Sequence, residues 1–148
     1  MAIAATLGFS YTANFVADLL ILQDKKEFKD FKAEFSGKEL KTLEYLCTTI
    51  ISPLTGEDIK LIWLMLFHFY SFDTQENIKP LLIRLNQTAE EKYKADFVNL
   101  SPNQSEDVLS DFEKTLYLSY VRDESYLAIK ESTLFSYYSS PRKDNEAI

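Results

Sequence analysis

Gly8, Gly37 and Gly56 are the only glycines in this chain. Sandwiches and barrels are built from many tight turns, and those turns draw on glycine to reach a positive φ at no steric cost. A chain of 148 residues with three glycines is therefore steered towards helices. The fold expected is all-α: one compact domain, a bundle of about six or seven helices. The length suits a single domain with its own core.

Helix-start signals support this. Ser36-Gly37-Lys38-Glu39 has the capping-box pattern, in which the serine oxygen accepts from the third helical amide and the glutamate reaches back. Leu40, Leu43, Leu46, Cys47, Ile50 and Ile51 then share one face. Ser52-Pro53 ends that helix, because proline disfavours helical geometry in the residue before it. Thr55-Gly56-Glu57-Asp58 opens the next, with its acids where the helix dipole favours them. Residues 59–72 are apolar nearly all round, which predicts a central helix. Thr74 is expected to cap a helix through Leu85, with Pro80 as a kink or a late start. Thr88-Ala89-Glu90-Glu91 reads as another capping box, and Ser101-Pro102-Asn103-Gln104 as the clearest one, with proline at the first helical position. Val108, Leu109, Phe112, Leu116 and Tyr120 follow at helical spacing. A last helix is expected over 125–138. Upstream, Phe28, Phe31 and Phe35 form an apolar stripe on a charged segment.

Three regions follow: an apolar start at 1–10, a helical domain at 11–141 and a polar tail at 142–148. MAIAATLGFS reads either as the apolar part of an export signal or as an arm docked on the core. No run reaches the roughly 20 apolar residues of a membrane span. The net charge is −7, with no basic stripe, which argues against nucleic acid and anionic membrane surfaces as partners. Cys47 is the one cysteine, so no internal disulfide can form.

The chemistry of a catalytic site is sparse. His68 is the one histidine, and its place in the most apolar helix predicts a core residue rather than a base or ligand. No second His or Cys gives metal-ligand spacing, and there is no glycine-rich phosphate loop. The pairs Glu57/Asp58, Glu90/Glu91, Glu106/Asp107 and Asp123/Glu124 lie in or near expected first helical turns, where the dipole accounts for them. Trp63 is expected in the core. By contrast, residues 116–141 concentrate amphipathic rings. Such rings favour contact with another protein, so the candidate partner-binding residues are Tyr117, Tyr120, Tyr126, Phe135, Tyr137 and Tyr138. Tyr137 and Tyr138 are adjacent, so both cannot point inward.

Several short motifs resemble the small (gamma) subunit of bacterial membrane-associated FAD-dependent sugar dehydrogenases, of the sorbitol/glucose type or the gluconate 2-dehydrogenase subunit 3 type. The opening AIAATLGFS is similar to the apolar part of a twin-arginine export signal. Leu54-Thr55-Gly56-Glu57-Asp58 resembles an "LTG" element. Tyr117-Leu118-Ser119-Tyr120-Val121 resembles a "YLG-V" segment, with Ser119 in place of the glycine. Lys130-Glu131-Ser132-Thr133-Leu134-Phe135 resembles "YEEALMF", and the stretch from Thr133 to Ser140 resembles a "TL-GYY-S" ending. The resemblance implies a non-catalytic accessory subunit that binds a large flavoprotein of the glucose–methanol–choline oxidoreductase class. It would help that partner fold, take up FAD and reach the periplasm, with a multihaem cytochrome c as electron acceptor. This chain would itself bind no cofactor and supply no catalytic base. It would be periplasmic, or held at the membrane through its partners. Two other readings stand beside it: a stand-alone cytoplasmic helical adaptor or regulator, and a small enzyme using His68 with a carboxylate.

Overall fold

The computed structural model describes residues 9–118 and 123–139. These form α1 (Phe9–Ile21), α2 (Lys26–Ala33), α3 (Gly37–Ile50), α4 (Gly56–Phe69), a short α5 (Phe72–Glu76), α6 (Ile78–Tyr93), α7 (Pro102–Leu118) and α8 (Glu124–Ser139). Single 3-10 turns at Leu22–Asp24 and Phe97–Asn99 complete the connections. Among the described residues, seven helices have eight residues or more and none of the chain is strand, in agreement with the all-α bundle that the glycine scarcity implies. The helical region begins at Phe9, inside the segment read as the apolar start.

Three of the five expected caps are present. Ser36 Oγ accepts from the Glu39 amide at 3.1 Å, and Glu39 returns a bond to the Ser36 amide at 2.8 Å. Thr55 and Asp58 exchange the same pair at 3.2 and 2.8 Å. Ser101 and Gln104 do so at 3.3 and 3.0 Å. The other two are corrections. Thr88 lies inside α6, and its hydroxyl donates to the Arg84 carbonyl at 3.0 Å. Buried Leu85 and Ala89 continue the inward face of α6 past Thr88, so packing overrides the local start signal. Glu90 and Glu91 thus fall in the last turn rather than the first. Similarly, the cap before α5 is Ser71, which accepts from the Thr74 amide, and Pro80 sits in the first turn of α6, a late start and not a kink.

Every long helix except α1 contributes buried side chains to the main core, and Leu20 of α1 packs against it partly buried. Leu43, Leu46, Leu64, Leu66, Leu81, Leu82 and Leu85 are all essentially inaccessible, and burying each contributes about 2 kcal/mol before chain entropy is set against it. Trp63 lies at the centre of α4 with Phe35 and Phe31 edge-on to it, at ring separations of 4.9 and 6.1 Å. Two rings of the phenylalanine stripe thus close over the indole, and the third, Phe28, packs edge-on to Phe67 at 5.6 Å. A smaller cluster joins α1 to the body through Leu19, Leu61, Met65 and Phe135.

α4 is central, as its all-round apolarity predicts, but it has a companion. α8 packs along α4 and also touches α1, α3, α5 and α6. Ser125, Ala128, Ser132, Thr133 and Ser136 are buried on it. These small side chains let the two helix axes approach closely. A helix enclosed on so many sides has no single apolar stripe.

Candidate functional site

Local chemistry fixes where each candidate residue goes. Tyr126 is 4% exposed and Phe135 is 8% exposed. Tyr126 packs edge-on to Phe112 at 5.9 Å, and its hydroxyl donates to the Glu113 carboxylate. Phe135 packs edge-on to Phe15 at 5.4 Å. Both rings serve the chain's own core and neither offers a face to a partner, because α8 is an inner helix. Tyr137 is half-buried, and Tyr138 is 70% exposed beside it, their rings perpendicular at 5.0 Å. Tyr117 belongs to the last turn of α7, but its side chain lies outside the described residues, as does all of Tyr120. The aromatic segment thus splits, with two rings inward and one fully presented.

His68 is exposed, contrary to the core position expected of it. It lies in the last turn of α4, where the apolar face gives way to solvent, with its ring edge-on to Phe69 at 4.6 Å. Cys47 is buried between α3 and its neighbours, and burial pushes its thiol up to about 12. A thiol so protected stays protonated at neutral pH and is a poor nucleophile. Among the described residues no three His, Cys, Asp or Glu side chains converge to hold a metal ion.

The charged groups that do meet are structural. Lys92 on α6 reaches both Asp107 and Asp111 on α7, the first at 2.6 Å. These two carboxylates raise the pKa of Lys92, while the bonds from Lys92 and Tyr93 lower that of Asp107. All of these groups are solvent-accessible, so the staple adds little to stability. Tyr70, partly buried, donates to Glu131 on α8 at 3.1 Å. Its phenol is pushed up to about 12 by burial first and by the Glu131 charge.

The surface feature not foreseen from the sequence is the corner between α4 and α5. The expected helix over 59–72 stops instead at Phe69, and Ser71 starts a new one. Phe69 is left 45% exposed and Phe72 68% exposed. The signal was present: Ser71, three residues before Thr74, is itself a good cap, but the continuous apolar run concealed it. Among the described residues the other large exposed apolar side chains, Ile21, Ile83 and Tyr138, sit on other elements.

Among the described residues no helix is long and apolar enough to cross a membrane. No curated protein and no solved structure matches the chain. One family model does: that of gluconate 2-dehydrogenase subunit 3, over residues 37–145. This stretch runs from the first residue of α3 beyond the end of α8 and includes the main core helices and the α4–α5 corner. Of the two small-subunit types that the motifs resemble, it is the gluconate type that is matched, and the chain belongs to the gluconate 2-dehydrogenase subunit 3 family.

Proposed function

We propose that this chain is the non-catalytic accessory subunit of an FAD-dependent sugar or sugar-acid dehydrogenase. It binds the large flavoprotein subunit, assists its folding and FAD uptake, and accompanies it to the periplasm. Family membership over residues 37–145 carries the reading, since the family is that of a subunit of a dehydrogenase complex. The chemistry of this chain agrees with it. The single histidine is a surface side chain against a phenylalanine, and the single thiol is buried and held protonated. Neither is placed as an activated nucleophile or base. The flavin and the catalytic groups belong, on this reading, to the large subunit, and electrons leave it for a multihaem cytochrome c.

The test separates assistance from mere association. The large subunit is expressed with and without this chain, and its FAD content and periplasmic yield are measured. Both should drop severalfold without it. Equal FAD loading and equal periplasmic yield in the two strains would remove the maturation role.

A further inference from the structure

We propose that the α4–α5 corner is the docking point for an apolar segment flanked by Lys or Arg on the large dehydrogenase subunit. The proposal rests on the accessory-subunit reading and locates its interface. Three observations lead to it.

The corner exposes large rings. Phe72 is 68% and Phe69 45% exposed, and His68 lies against Phe69. Phe15 of α1 stacks on Phe69 at 5.1 Å. Grouped exposed aromatics mark interaction sites far more often than isolated ones.

The corner is also held rigidly. The Gln75 side-chain amide donates towards the carbonyls of Leu66, Phe67 and Tyr70 at 3.3, 2.8 and 3.2 Å, tying α5 to the open end of α4. Ser71 caps α5. Ser125 of α8 donates to the Thr74 carbonyl at 2.8 Å. Hydrogen bonds from two sides thus fix a five-residue helix whose first residue turns an apolar ring to water. A surface ordered in advance loses little entropy on binding.

The rim is acidic. Asp73 and Glu76 of α5, Glu131 beside Tyr70, and Glu124 next to Ser125 are all exposed. The sequence has no Lys or Arg between Lys60 and Lys79. Lys130, the nearest cation on α8, reaches towards Glu113 at 3.5 Å. Exposed apolar rings on a corner whose neighbouring charges are carboxylates favour a basic-flanked partner. They disfavour an anionic lipid surface, and also a second copy presenting the same charge.

The test uses the full chain and the solubilised large subunit, with affinity measured at low and high salt. Phe72→Glu should weaken binding by about 30-fold, the effect of losing a 2 kcal/mol hot spot. The free variant should keep its Tm, because the residue is mostly exposed and an acid suits the first turn of a helix. Asp73→Asn with Glu76→Gln should slow association and flatten its salt dependence. Phe72→Glu binding within twofold of wild type would overturn the proposal while leaving the accessory role standing. A wild-type chain that binds no large subunit would overturn both. Loss in Phe72→Glu of self-association, or of binding to anionic vesicles, with large-subunit affinity unchanged, would assign the corner to that other occupant and likewise overturn it.

Discussion

Cys47, Trp63 and Lys94 show how single side chains set the stability of this bundle. The Cys47 thiol is raised from its ordinary 9.0 to about 12 by burial. The unfolded chain therefore loses this proton first as pH rises, and the folded state is progressively disfavoured from about pH 9 upward. The slope is at most about 1.4 kcal/mol per pH unit for one group. Tyr70, raised from 10.0 to about 12, acts in the same sense. Urea titrations from pH 8 to 11 should show this decline, and Cys47→Ala should make it shallower. Trp63 is fully buried, yet among the described residues its indole N–H has no hydrogen-bond partner. Trp63→Ala should cost about 3–5 kcal/mol. Trp63→Phe should cost less than half as much, because no hydrogen bond is lost with the indole and an unsatisfied donor is removed. Lys94 ends α6 with φ 58, the left-handed geometry that glycine adopts without strain. Lys94→Gly should raise stability by about 0.5 kcal/mol in the same assay.

At the scale of elements, the caps allow a direct comparison. Ser36→Ala, Thr55→Ala and Ser101→Ala should each cost about 1 kcal/mol. Thr88→Ala should be neutral or slightly stabilising, since Thr88 sits within a helix and alanine is the better helix former there. Equal losses at all four positions in urea denaturation would contradict the assignment of α6 as one helix. The caps at 36, 55 and 101 were legible because each precedes an apolar face that starts in register with it. Thr88 misleads because a Thr-x-x-Glu pattern carries no information about the helix already running through it. α8 is hard to place from its sequence for a related reason. Its tyrosines suggest surface rings, whereas the residues that decide its position are the small ones at 125, 128, 132, 133 and 136, buried at helical spacing. The break between Phe69 and Phe72 was hidden in the same way, since apolarity on all sides does not reveal where a helix ends.

For the whole molecule, the body and α1 should separate energetically. Leu19 of α1 packs in the smaller cluster with Leu61, Met65 and Phe135, apart from the core around Trp63. Leu19→Asp should therefore speed amide exchange in α1 while the amides of α4 keep their protection; simultaneous loss in both would show a single cooperative unit. The all-α class followed from composition, because scarce glycine and frequent caps act on every connection at once. The partner surface did not, because exposure depends on how helices stack and not on which rings a segment contains. Association with a flavoprotein is tested by isolating the tagged full chain from native membranes and recording the absorbance of the eluate. A large partner in stoichiometric amount with a flavin spectrum is expected. A colourless, folded, partnerless chain would contradict it.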